Sequence, residues 1–516
     1  MNTAVLGTVV IIYLLTLSFL GFLAYKQTKN SKDYLLAGRK AHPFLMAMSY
    51  GATFISSSAI IGFGGMAAVF GLGLLWLPFL NIAVGIIIAF LIFGRKTRRI
   101  GHHLNAHTFP EFLGNFYNSK KIQLLAGSII FIGMPIYAAV VLKGGTVFMA
   151  QIFNIDYNIA LIIFTVVVAS YVITGGMKGV MYTDAFQGIL MVLGMIILMI
   201  LTYKIINMGF IEANHTLEGY TSLIPEKLKS TGHQGFTSMP VFGSPWWYTL
   251  VTSLVLGVGI GALAQPQLVI RFMTVKSDRE LNRGVFVGSL FIFFTVAFIF
   301  VIGAVSNIFF MQTEGKLAMA VEKDIDKIIP LFISKALPVW FGGIFMLTIL
   351  SASMSTLSSQ FHVMGTSLGR DMLKKFSAND KQVTLFTRLG ITVAIIISYI
   401  ICLYLPEGVI ARGTAIFFGI CAASFLPVYF SALYWKSVTT KAAIWSIFAG
   451  IISSIIAIVF MHQKESAAIG LCKAMFGRDV LVEKYPWPVI DPMLISLPIS
   501  ILILILVSKL SFEKKK

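Results

Sequence analysis

The sequence predicts an all-α, multi-pass membrane protein with about thirteen transmembrane helices, the N-terminus outside and the C-terminus inside. Three observations predict it. Of the 516 residues, 57% are hydrophobic and only 12% are charged, about half the charged share of a soluble domain. Apolar runs of spanning length recur along the whole chain. Lys and Arg gather in alternate gaps between those runs. A soluble fold of this composition lacks the polar surface to stay dissolved. An ordinary cytosolic enzyme, a disordered chain and a collagen-like fibre are excluded on the same ground.

A bilayer-crossing helix needs about 20 apolar residues. Lipid-exposed backbone must satisfy its own hydrogen bonds, which favours helices, and the dyad alternation of barrel strands is absent. The first run, 2–25, lacks the basic start and small-residue cleavage site of a signal peptide and reads as a retained helix. The second, 43–70, is long and rich in Gly and Ser. Runs three to six, 74–94, 122–150, 157–174 and 182–207, are apolar throughout most of their length. The seventh, 246–270, is interrupted by Gly and Pro, and the eighth is 284–310. The ninth, 331–367, is long and Ser-rich. The last four are 385–405, 411–435, 440–461 and 489–509. No Pro/Ser-rich linker or low-complexity tract divides the chain, so 1–516 is one membrane domain. Three cysteines, Cys402, Cys421 and Cys472, are too few and too scattered for a disulfide framework or a metal cluster.

The formal net charge of +19 would suggest nucleic acid in a soluble protein. Its distribution gives another meaning. The loops Lys26 to Lys40, Arg95 to Lys121, Lys178, Arg271 to Arg283, Arg370 to Arg388, Lys436 with Lys441, and the tail from Lys509 hold 27 of the 40 cations. With Asp184 counted they hold 8 of the 21 acids, which accounts for the whole excess. By the positive-inside rule these loops are cytoplasmic, and nucleic-acid binding is unnecessary. Two outer segments, 208–245 and 311–330, are long. The Trp246–Trp247 pair after the first suits an interfacial belt, and the second reads as a short solvated helix. Both read as cover or gate. His102, His103 and His107 read as solvated loop residues.

Polar residues inside apolar runs carry most of the information, because they cost energy there. In the second run, Gly51-Ala52-Thr53-Phe54-Ile55-Ser56-Ser57-Ser58 precedes Gly62, Gly64 and Gly65. This density weakens a helix. A break would free carbonyls, good ligands for a hard cation; the plainer reading is small residues for close packing. The seventh run repeats the theme with Gly257, Gly259, Gly261 and Ala264-Gln265-Pro266-Gln267. The two lie five helices apart, where the first helices of inverted repeats correspond and paired interruptions mark a midplane site. In the ninth run, Ala352, Ser355, Thr356 and Ser359 share one helix face. Neutral oxygens of this kind suit an exchangeable monovalent cation and are poor ligands for zinc or copper. The alternative is a Ser/Thr packing seam. Between runs five and six, Asp184 is the most embedded acid. It is either an N-cap or an intramembrane carboxylate beside a cation path.

With these residues the chain resembles the sodium/solute symporters over roughly residues 1–440. The segment Gly175-Gly176 through Thr183-Asp184-Ala185-Phe186-Gln187 carries the resemblance, with Gln265 to Met273 and Ala352-Ser353-Met354-Ser355-Thr356. The resemblance implies a five-plus-five inverted-repeat, leucine-transporter-like core. It implies a leading helix and loop in 1–42, the core in 43–435 and trailing helices and tail in 436–516. It further implies a sodium site formed by the carbonyls of Ala52, Ile55 and Ala352 and the hydroxyls of Ser355 and Thr356. Some members hold a second sodium, here at Asp184, Ser355, Ser358 and Ser359. Two positions depart from the pattern. Phe54 stands where some members carry Asp or Asn, which makes a more apolar wall or signals a different solute. Lys143 stands in an otherwise apolar helix, either as a carboxylate partner or snorkelling outward.

The partners implied are sodium, a small organic solute and the lipid bilayer, with no nucleic acid and no obligate protein partner evident. The solute is an amino acid, a carboxylate or a related metabolite, imported by alternating access across the cell membrane. Ser56, Ser57, Ser58, Gln265 and Lys143 are the candidate solute contacts; Arg271 is assigned to the cytoplasmic loop. No P-loop couples the chain to ATP. No Thr-Val-Gly-Tyr-Gly-like filter marks a channel, and no catalytic constellation marks an enzyme. A solute-gated sensor or channel-like protein on the same fold is the alternative.

Overall fold

A computed structural model describes residues 3–28, 31–80, 85–374, 379–435 and 437–513. Residues 81–84 of the third predicted run, and the loop cations Lys29, Lys375, Lys436 and Lys514 to Lys516, lie outside them. Among the described residues eleven helices are long and apolar enough to cross a membrane. The leading helix is α1 (Thr3–Gln27). The second run is broken into α2 (Pro43–Phe54) and α3 (Phe63–Phe70), with a wide turn at Ser58–Gly62 between them. Then come α4 (Trp76–Leu80) and α5 (Arg95–His103), and α6 (Phe109–Phe116) leads into α7 (Lys120–Phe153).

The fifth and sixth runs form one helix, α8 (Tyr157–Ile206), kinked at Gly176. Its φ of 59° is in the left-handed region, and a Cβ there would fall 2.6 Å from the Tyr34 ring. Glycine satisfies both demands. The seventh run is broken into α9 (Val258–Ala262) and α10 (Pro266–Phe272). Then come α11 (Asp278–Glu314), α12 (Ile325–Ala336), α13 (Val339–Thr366), α14 (Asp380–Tyr404), α15 (Ile410–Tyr434), α16 (Thr440–Phe460) and α17 (Met493–Glu513). Helix ends carry local stop signals: Asn154, Asn207 and Gly315 each take the left-handed conformation. Ser277 and Glu280 close a capping box at the start of α11.

Helices α2, α8, α10 and α13 converge in the interior. Helices α16 and α17 pack on each other and on α15, away from that centre.

Three expectations need correction. The ninth run does not start at 331, and α12 is not a solvated helix. It buries Ile328, Ile329, Phe332 and Ile333 and lies against α3 and α7. A Cβ on Gly65 would sit 2.1 Å from the Ile325 carbonyl oxygen, so glycine is what admits α12 to this depth. The reason is amphipathicity: the buried pairs recur at helical spacing beside exposed lysines. Nor is His107 solvated. It is buried with Glu111 and Arg370, and Arg370 donates to Glu111 through Nε at 3.0 Å and Nη2 at 3.1 Å.

Burial pushes the Glu111 carboxyl up, but hydrogen bonds from His107 and Arg370 and the Arg370 charge outweigh it and hold it at about 2. A carboxyl held below its ordinary 4.5 stabilises the fold above that pH, and the contribution is lost as pH falls towards 2. At 1.36 kcal/mol per unit this is at most about 3 kcal/mol. Thermal unfolding in detergent should therefore lose midpoint between pH 5 and pH 3 in the wild type. Glu111→Gln should start lower at pH 7 and fall less over that window; parallel slopes would remove the Glu111–Arg370 pair as the cause.

Candidate functional site

The site grows from the interruption of α2. The last helical bond before it runs from Ile55 N to the Gly51 carbonyl at 2.8 Å, and Ile55 itself is extended. The carbonyls that follow have no partner in the next turn. Helix α13 supplies hydroxyls in their place. Ser355 Oγ lies 2.7 Å from the Ala52 carbonyl, 2.7 Å from the Ser351 carbonyl of its own helix and 3.3 Å from that of Ala352. Thr356 Oγ1 donates to the Thr53 carbonyl at 3.0 Å and lies 3.5 Å from that of Ile55. Every oxygen expected of a sodium site, from Ala52, Ile55, Ala352, Ser355 and Thr356, is thus within one cluster. All five residues are fully buried. Neutral oxygens at such spacing can hold a hard monovalent cation and release it.

The acid of the second cluster is not an N-cap. Asp184 lies two turns past the Gly176 kink, fully buried, and its Oδ2 accepts from Ser49 Oγ at 2.7 Å and from Arg271 Nη2 at 3.1 Å. Thr53 Oγ1 is 3.5 Å from the same atom and 2.8 Å from Ser359 Oγ. Arg271 also donates to Ser359 Oγ at 2.5 Å, to Ser49 Oγ at 3.0 Å and to the Gln267 carbonyl at 2.6 Å. The assignment of Arg271 to a loop is therefore wrong. Helix α10 continues through Phe272 and carries the guanidinium inward. Asp184 and Ser359 come together, but Ser355 turns to Ala52, and Ser358 donates to the Ser355 carbonyl of its own helix at 3.0 Å. The guanidinium bridges Asp184 and Ser359.

Tyr13 ties the leading helix to this centre. Its hydroxyl receives Gln187 Nε2 at 3.0 Å and Ser351 Oγ at 3.2 Å.

The expected solute contacts divide. Ser56 lines a closed cavity of about 30 Å³ at the break, with Phe54, Phe63, Tyr137, Phe300 and Phe418. Ser58 is not among the residues that line it; it opens the wide turn, buried and with its hydroxyl unpartnered. Gln265 sits at the α9–α10 break, accepting from Gln267 Nε2 at 3.0 Å. Ser57 is turned away, donating to the Val141 carbonyl at 2.8 Å. Lys143 neither meets the cavity nor snorkels. Its Nζ donates to the Leu405 and Pro406 carbonyls at 2.9 and 2.7 Å, at the end of α14. Those carbonyls are helix-end acceptors that a cation satisfies well. A second cavity, of about 800 Å³, lies at the far end of α3, between Phe70, Trp246, Asp324, Glu407, Arg412 and Lys464.

Sequence reasoning missed Ser49, Thr53, Tyr137, Arg271 and Phe418. A signal existed for three of them. Ser49 and Thr53 are i, i+4 on α2, and Gln267 and Arg271 are i, i+4 on α10.

The sodium:solute symporter family matches residues 34–450. The chain belongs to that family. It is a sodium-coupled secondary transporter of a small organic solute, embedded in the membrane by many passes, and not an enzyme. Sodium/proline symporters of Staphylococcus aureus are 26–27% identical over 461 residues, 87% of this chain and 85% of theirs. The substrate-bound, outward-open structure of a Na+-coupled sialic acid symporter superposes with a TM-score of 0.75 at 18% identity, covering 98% of each chain. A nucleobase-cation-symport-1 family transporter in a closed conformation gives 0.54 at 13% identity, over 93% of this chain and 96% of that one. The fold of this symporter is thus shared with transporters of differing solutes.

Removing one partner of a buried ion pair costs about 3–5 kcal/mol because the other charge is stranded. Arg271→Gln should therefore lower the unfolding midpoint and abolish sodium-driven uptake. The double variant Asp184→Asn with Arg271→Gln should recover most of the midpoint. A double variant as unstable as the sum of the singles would show the two charges to be uncoupled.

Proposed function

We propose that this symporter imports a small solute bearing a carboxylate on an apolar body, of the size of proline. The sodium that drives it is held by the carbonyls of Ala52, Ile55 and Ala352 and by the Ser355 and Thr356 hydroxyls. The observation that carries the cation site is the 2.7 Å approach of Ser355 Oγ to the Ala52 carbonyl across the break. In this arrangement the hydroxyls donate to freed carbonyls. A bound sodium would instead take oxygen lone pairs from both partners. It would fasten α2 to α13 more strongly than the neutral hydrogen bonds do. Sodium and solute then raise each other's affinity, because both need the same joined arrangement.

The solute class rests on the cavity. Its walls are mostly aromatic and aliphatic and carry no charge. The backbone N–H groups that open the second half of the broken helix, near Ser56 and Ser58, carry the positive end of a helix dipole, which suits a carboxylate. The proline specificity named for the S. aureus relatives accords with this. A volume of about 30 Å³ is one water's share, so the solute enters only when the elements around the break separate. The larger cavity at the far end of α3 is the outer vestibule under the positive-inside orientation, N-terminus out and C-terminus in. Residues 43–435 form the core, in which the α2–α3 and α9–α10 breaks are corresponding members of two inverted five-helix repeats. A second sodium at Asp184 and Ser359 requires Arg271 to withdraw, so the arrangement supports one coupling ion in this conformation.

Proteoliposome uptake with a solute panel of proline, other amino acids, short carboxylates and sugars tests the reading. Uptake of a carboxylate-bearing member should need an inward sodium gradient. Ser355→Ala and Thr356→Val should each raise the half-saturating sodium about tenfold, the loss of roughly 1.4 kcal/mol. Unchanged sodium activation in both would reject the site, and uptake confined to sugars would reject the solute class.

A further inference from the structure

A crevice of about 510 Å³ lies between α1, the kinked part of α8 and α14, lined by Leu17, Gly21, Phe22, Val172, Thr183 and Arg388. Its α1 edge faces the bilayer, with Phe22 and Tyr25 more than half exposed at 52% and 59%. Arg388 belongs to α14 and stands about 12 Å along it from its start, at 1.5 Å per residue. An arginine at that depth in a spanning helix is expensive unless an anion meets it. The guanidinium Nε is buried without a hydrogen-bond partner, and the polar side chain beside it is the buried, uncharged phenol of Tyr34. Two more cations border the same edge. Lys26 Nζ lies 4.8 Å from the centre of the Phe22 ring, and Lys178 Nζ donates to the Gln27 carbonyl at 3.2 Å.

We propose that this crevice binds an anionic phospholipid, its phosphate on the Arg388 guanidinium and an acyl chain against Leu17, Phe22 and Val172. The guanidinium fork matches two phosphate oxygens. The apolar wall, open to the bilayer, selects a lipid over a free phosphate, which would gain nothing from it. The depth of Arg388 suits a headgroup at the interface with the chains running inward. Occupancy would fasten α1 to the kink of α8 from the lipid side.

The full chain, reconstituted in nanodiscs of phosphatidylcholine with a minor share of phosphatidylglycerol, tests this by native mass spectrometry and by lipid extraction. The wild type should retain phosphatidylglycerol over phosphatidylcholine by about tenfold. Arg388→Gln should lose that preference. Gly21→Leu fills the crevice while keeping the cation, and a Cβ at Gly21 meets nothing within 4 Å, so it should fold and lose the retained lipid too. If Arg388→Gln does not fold, Gly21→Leu decides alone. Wild-type preference in Gly21→Leu overturns the site, because a headgroup held without the crevice is only a surface contact. Loss of the wild-type preference on adding soluble glycerol phosphate would overturn it as well.

Discussion

Lipid offers no water to a severed backbone, and the break at Ile55 is only as stable as the side chains that reach across to it. Ser355 and Thr356 make that reach, into the carbonyls of Ala52 and Thr53. A buried carbonyl left without a donor costs about 1–3 kcal/mol. The break therefore binds α2 to α13 as a matter of backbone satisfaction, before any ion is considered. The same shortage of donors makes the position attractive to sodium. One defect in a helix thus serves as a joint in the fold and, under the proposed function, as the seat of the coupling ion.

The neighbouring charges obey a harsher version of that constraint. Asp184 and Arg271 are both fully buried, where desolvation takes back much of what their attraction supplies. The pair persists because its remaining hydrogen-bonding capacity is shared out among Ser49, Thr53, Ser359 and the Gln267 carbonyl. It joins four helices through one carboxylate and one guanidinium. One Asp184 oxygen still has no partner among the described residues.

How much of this could be read from the sequence depends on whether the cause was local. The helix interruption was legible because Gly and Ser weaken a helix wherever they cluster. The Ser355–Thr356 face was legible because helical spacing puts its oxygens on one side. The buried role of Arg271 was not, since it ends an apolar run beside Lys276, Arg279 and Arg283 and looks like one more loop cation. Only the packing of α10 against α2 and α13 carries it inward. The partners of Lys143 were hidden for the same reason. Its partners, the carbonyls at 405 and 406, are more than 250 positions away. His107 and α12 repeat the lesson: polarity along the chain does not reveal what a distant helix will cover.

The hydroxyl of Tyr13 has a consequence for biogenesis. Its helix leaves the ribosome well before its partners do, and Ser351, one of them, is separated from it by 338 positions. At about 5–20 residues per second, α1 waits roughly 20–70 s for that contact. Gln187, 174 positions away, is made in about half that time. The leading helix is thus first held by α8 and only later closed against α13. An N-terminal segment lying largely outside the family match at 34–450 becomes an internal clock on assembly. The transport centre cannot be finished until the ninth predicted run has been inserted beside a helix made long before it.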